Sequence, residues 1–135
     1  MAATPTVLVV EDDPDHLEIM TTALRHQGYE VRVAVDGIAG VERSVSERPD
    51  VVLMDASLPG MDGWSATASI KQRAPEVCVL MVTAHALPEH QEMALAVGCD
   101  GFYTKPIEPT RLLRIIRECL ERRDAVAAAS PALSE

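Results

Sequence analysis

A doubly wound α/β fold, with five parallel strands each followed by a helix, is what this sequence predicts, on three observations. Three short runs, residues 7–10, 51–54 and 77–82, are apolar and rich in β-branched residues without polar alternation, as in strands buried on both faces. Segments of helical length separate the apolar runs, so that a β-α unit is repeated five times. Glycine and proline fall at the joints. Gly28 and Gly98 stand where helices should end, and Pro14, Pro88 and Pro109 near helix starts, where a missing N–H costs least.

The first strand, 7–10, leads into a helix over 15–27. The second run, 29–35, alternates instead, with Val31, Val33 and Val35 separated by Arg32 and Ala34, which suits a strand at a sheet edge. A helix over 37–47 follows it. The third strand, 51–54, precedes a helix over 62–73, and the fourth, 77–82, precedes one over 88–97. The fifth strand is short, around Phe102 and Tyr103. The last helix, 108–123, repeats Leu112, Ile115, Ile116, Cys119 and Leu120 at the spacing of one buried stripe. Residues 1–5 read as a short N-terminal extension, 6–123 as one domain and 124–135 as a disordered Ala-rich tail.

Composition agrees with one folded domain: 135 residues, 47% hydrophobic and 24% charged. Twelve basic against 21 acidic residues give a net charge of −9, which argues against direct nucleic-acid binding and against anionic membrane surfaces. Yet Arg111, Arg114 and Arg117, with Arg122 and Arg123 beyond them, crowd onto the last helix as a candidate docking face. Cys78, Cys99 and Cys119 are odd in number and widely spaced, so reduced thiols are expected rather than a disulfide framework or a zinc site. No run approaches the length of a membrane span and no signal peptide is recognisable, so a cytoplasmic protein is expected.

In an open parallel sheet, ligands bind beyond the carboxyl ends of the strands. There the sequence places Glu11, Asp12 and Asp13 after the first strand, Asp55 after the third, Thr83 after the fourth and Lys105 after the fifth. Clustered carboxylates repel one another unless a hard divalent cation with oxygen ligands joins them, and Mg²⁺ suits that role. A nearby lysine then serves as a second positive charge for a phosphate.

These residues lie in four motifs, VLVVEDD at 7–13, VVLMDASLPGMDGW at 51–64, VTA at 82–84 and GCDGFYTKP at 98–106. In that order and spacing the chain resembles the response-regulator receiver family over residues 6–123. The resemblance implies a flavodoxin-like sheet of strand order 2-1-3-4-5 and a phosphorylation switch in a two-component system. Asp55 would accept a phosphoryl group from a phosphohistidine of a sensor histidine kinase or phosphotransfer protein. Glu11, Asp12, Asp55 and the backbone carbonyl of Ser57 would hold Mg²⁺ or Mn²⁺.

By the same resemblance, Thr83 and Lys105 would bind the phosphoryl oxygens, with a cis peptide before Pro106. Thr83 and Phe102 would carry the switch, while Ser57 and His85 border the phosphate and tune its lifetime. Asp13 falls outside the family's acidic pair and reads as a helix N-cap, and Asp62 reads as another. The expected function is a stand-alone regulator, not an enzyme beyond its own phosphorylation and dephosphorylation, with output through a protein partner or a homodimer. A relay intermediate or phosphate sink is the alternative. A haloacid-dehalogenase-type phosphatase would need an Asp where Ser57 stands, and a flavin-binding module would be repelled by residues 11–13.

Overall fold

In a computed structural model, which describes residues 4–84 and 87–129, the elements run β1 (Thr6–Val10), α1 (Pro14–His26), β2 (Glu30–Ala34), α2 (Gly37–Glu47) and β3 (Val51–Asp55). They continue as α3 (Gly63–Arg73), β4 (Cys78–Thr83), α4 (Pro88–Val97), β5 (Gly101–Thr104) and α5 (Pro109–Ala129). All neighbouring strands are parallel, in the order β2-β1-β3-β4-β5. The alternating β2 is an edge strand, as its pattern predicts. Gly98 closes α4 in the left-handed region, with φ 76°, a conformation that a Cβ disfavours.

One boundary differs from expectation. The last helix does not stop at Arg123 but continues to Ala129, so half of the expected disordered tail is helical, while 130–135 lie outside the described residues. The reason is local: Asp124, Ala125 and Val126 hold no helix breaker, and alanine is the best helix former.

The period-two alternation of the strands divides the apolar residues between two cores. Leu8, Val10, Val52, Met54, Val79 and Met81 face Val41, Ala66 and Ile70 of α2 and α3. Val7, Val9, Val51, Leu53 and Leu80 face Leu24 of α1 and the α5 stripe of Leu112, Ile115, Ile116 and Leu120. The predicted stripe of the last helix is therefore the one that is buried. Among the described residues, no helix is long and apolar enough to cross a membrane.

Cys78 and Cys119 fall on the same side of the sheet, and their sulfurs are joined in a disulfide across the second core. This corrects the expectation of three separate thiols. Cys78 shares its face of β4 with Leu80 and Cys119 belongs to the α5 stripe, so both point into one layer, a convergence that spacing along the chain does not reveal. Their Cα atoms are 7.2 Å apart, beyond the usual range for a disulfide of about 4.4–6.8 Å. Cys99 remains a free thiol.

Polar side chains tie the elements together at the edge where the strands begin. Lys71, near the end of α3, donates to the carbonyls of Pro75 and Val77 and to Asp100 Oδ2, at 3.0, 2.8 and 3.0 Å. Asp100 Oδ2 also accepts from the Val79 amide at 2.8 Å. Asp50 accepts from the Thr6 amide at 2.7 Å and from Arg123 at 2.6 Å, which links β1, β3 and α5.

Candidate functional site

At the opposite edge the strand ends deliver their side chains into one depression. The Glu11 amide donates to the Ala34 carbonyl at 3.0 Å, which prolongs the β1–β2 ladder by one residue and turns the Glu11 side chain inward, where only 1% of it is exposed. Asp12 is exposed at the rim. Asp13 caps α1, its Oδ1 accepting from the amides of Asp15 at 2.9 Å and His16 at 3.2 Å. The N-cap reading of Asp13 is thus correct, as is that of Asp62, which accepts from the Ser65 amide at 2.9 Å.

Asp55 closes β3 and is buried, with Oδ1 accepting from the Ser57 amide at 3.2 Å. The strand is held one residue further by the Ala56 amide, which donates to Val82 O at 2.9 Å. Helix α3 then comes close: the Gly63 amide donates to Ala56 O at 3.0 Å. Thr83, also buried, closes β4, and its carbonyl accepts from the Lys105 amide at 2.7 Å. The Lys105–Pro106 peptide is cis, as the resemblance implied. Lys105 points into the depression, its Nζ 2.6 Å from Glu11 Oε1 and 3.4 Å from Asp55 Oδ2.

Electrostatically, this is a buried excess of negative charge. Oxygen atoms of Glu11, Asp12 and Asp55 lie within 4.8 Å of one another, and Lys105 is paired with Glu11 and Asp55. Burial is the main cause that pushes the Asp55 carboxyl up to about 6, Glu11 adds to it, and Lys105 and the Ser57 amide offset it only in part. Burial would lower the Lys105 ammonium, but its hydrogen bond to Glu11 and the charges of Asp55 and Glu11 outweigh that, so its pKa is raised above the ordinary lysine value. Three oxygen donors that repel one another fit a hard divalent cation of the Mg²⁺ or Mn²⁺ kind, which would replace that repulsion with attraction.

The remaining candidate residues lie around this centre. Ser57 is exposed beside Asp55, and His85 lies outside the described residues. Phe102 of β5 packs on the first core, with its ring 5.5 Å from that of Trp64 and 6.3 Å from that of His90. On α5, Arg114 and Arg117 are exposed, while Arg111 lies over the Tyr103 ring, 5.7 Å from its centroid, and Arg123 is engaged with Asp50 and Asp124. The arginine cluster is therefore in part structural.

Two residues that sequence reasoning passed over belong to the site. Gly63 allows α3 to touch the backbone of Asp55, and His16 brings its Nδ1 within 3.4 Å of Lys105 Nζ. The glycine had a signal in the DG pair at the start of a helix. The histidine had none, because only the fold sets the first turn of α1 against the residue after β5.

Residues 7–117 match the response regulator receiver domain. The transcriptional regulatory protein PrrA of Mycobacterium leprae is 31% identical over 128 residues, which are 95% of this chain and 55% of that protein. The sensor protein GacS of Pseudomonas syringae pv. syringae is 36% identical over 117 residues, 83% of this chain and 13% of that protein. The chain thus spans about half the length of the transcriptional regulators it matches. Among solved structures, a CheY-like receiver domain protein from Methanospirillum hungatei JF-1 superposes with a TM-score of 0.88 at 29% identity, covering 91% of this chain and 98% of that one. The receiver domain of a sensor histidine kinase from Pseudomonas aeruginosa PAO1, with a magnesium ion coordinated in its active-site cleft, gives 0.81 at 34% identity, covering 88% and 99%.

Proposed function

The chain belongs to the response regulator receiver domain family, and from that premise we propose that it is a phosphorylation-dependent switch whose phosphoacceptor is Asp55. One observation carries the reading: Asp55 is a buried carboxylate at a strand end, grouped with the carboxylates of Glu11 and Asp12 and within 3.4 Å of the Lys105 ammonium.

An Asp55 oxygen attacks the phosphorus of a phosphohistidine on a sensor kinase or phosphotransfer protein. The new O–P bond replaces the P–N bond, and the imidazole leaves. Lys105 offsets charge on the phosphoryl oxygens, and the Ser57 amide holds the acceptor carboxylate in place. Asp12, Asp55, the Ser57 carbonyl and, through water, Glu11 would hold Mg²⁺, which supplies Lewis-acid neutralisation of the phosphoryl charge. Hydrolysis at Asp55 resets the switch.

Switching needs contacts present only in the phosphorylated state. Thr83 and Lys105 each contribute one charge-assisted hydrogen bond of about 1.5–3 kcal/mol. Their sum approaches the roughly 5.5 kcal/mol that inverts a 1:99 equilibrium. Output passes through protein contacts on the β5 side, to a downstream protein or a second copy, in the cytoplasm and without direct contact to nucleic acid. The match to a segment of a sensor protein favours one alternative, that of a relay intermediate passing the phosphoryl group to another histidine.

The test is labelling with acetyl phosphate. The wild type takes up one phosphoryl group in Mg²⁺ or Mn²⁺ and none in chelator, and Asp55→Asn takes up none. Stoichiometric labelling of that variant would assign the acceptor elsewhere.

A further inference from the structure

His16 is the third residue of α1, and its backbone amide is already committed to the Asp13 cap, which leaves the imidazole free for another role. That ring is half exposed, and its Nδ1 lies 3.4 Å from Lys105 Nζ, nearer than its distances of 3.9 Å to Glu11 Oε1 and 3.8 Å to Asp13 Oδ2. Towards this ammonium Nδ1 can act as the acceptor in the tautomer that carries its proton on Nε2. The ring also shares a crevice with Val82, Lys105, Pro106 and Leu112.

We propose that His16 is a positioning residue for Lys105, the acceptor that holds the ammonium when Glu11 and Asp55 are engaged by a divalent cation. The proposal rests on the phosphoacceptor reading and adds a regulating contact to it. A lysine ammonium has three N–H donors. Two of its partners in this structure, Glu11 and Asp55, are also among the residues that would hold the proposed cation, directly or through water, so metal and ammonium draw on the same carboxylates. His16 stands outside that competition. It gives Lys105 a place to go that costs the metal nothing and that keeps Nζ at the edge of the depression, ready for a phosphoryl oxygen. Without it, the ammonium either stays on Glu11 against the metal or leaves for solvent.

Two measurements on the full chain test this, with His16→Ala and His16→Asn. Asn places an amide oxygen about where Nδ1 stands and preserves the acceptor. In calorimetric titration with Mg²⁺ alone, His16→Ala raises Kd roughly three- to tenfold, the scale of one half-exposed hydrogen bond to a charged group. With acetyl phosphate at saturating Mg²⁺, its maximal labelling rate falls by a similar factor while the donor concentration at half-maximal rate is unchanged. His16→Asn recovers both quantities to within about twofold of wild type. Wild-type values in His16→Ala, or His16→Asn as impaired as His16→Ala, overturn the proposal. If the wild type itself takes no label, the phosphoacceptor reading fails instead, and the Mg²⁺ titration still decides whether His16 relieves the competition.

Discussion

A β-carbon on Gly63 would lie 2.0 Å from the carbonyl oxygen of Asp55. No other residue type fits there without moving backbone, because the obstacle is the main chain of β3 rather than a flexible side chain. The start of α3 thus sets the position of the central carboxylate from behind.

Gly63→Ala is therefore expected to lower stability by about 1–3 kcal/mol, the usual cost of forcing a methyl group into filled space. It should also displace Asp55 from the Ser57 amide. Thermal unfolding measures the first effect, and labelling by acetyl phosphate at a temperature where the variant is still folded measures the second. Wild-type labelling would show that the close approach serves packing alone.

The Asp55 carboxyl stands at about 6 against its ordinary 3.8, so the folded chain binds this proton more tightly than the unfolded chain does. Stability from this group is therefore greatest below 3.8, falls as pH rises towards about 6, and stays low above it. A shift of this size corresponds to roughly 3 kcal/mol. Asp55→Asn removes the penalty and is expected to be more stable than wild type near neutral pH by about 1–3 kcal/mol, with the gain vanishing in acid. Mg²⁺ should narrow the difference by stabilising only the wild type. Denaturant unfolding at neutral and acid pH, with and without Mg²⁺, reads all three outcomes.

The chain has one tryptophan, and it borders the aromatic residue assigned to switching. Trp64 lies 5.5 Å from Phe102 and 5.4 Å from His90, ring to ring, so a rotation of Phe102 changes its surroundings. Acetyl phosphate with Mg²⁺ is expected to shift Trp64 emission in the wild type. Thr83→Ala should take up phosphate with a much smaller shift, because it keeps the nucleophile and loses a contact selective for the phosphorylated state. An emission change as large as that of the wild type would remove Thr83 from the switch.

Features carried by short-range pattern were legible in the sequence: the five β-α units, the edge strand, the caps at Asp13 and Asp62, and the α5 stripe. The convergence of Glu11, Asp12, Asp55 and Lys105 was legible too, because a parallel sheet brings all its strand ends to one edge. What escaped depends on how separate elements pack. The Cys78–Cys119 bridge needs the facing of β4 relative to α5, Gly63 needs the distance from α3 to β3, and His16 needs the rotation of α1 towards the residue after β5. The helical extension to Ala129 was missed for a different reason: an Ala-rich end reads equally as tail or helix until the preceding turns are in place.

The ties made by Lys71 and Asp50 stand at the edge where the strands begin, while the crowded carboxylates stand where they end. The molecule is built like a clothes-peg, pinned at the foot and sprung at the mouth. Lys71 fastens α3, the entry to β4 and the entry to β5 to one another. The repulsion that a cation or a phosphoryl group would relieve therefore sits at the end of the sheet opposite these ties.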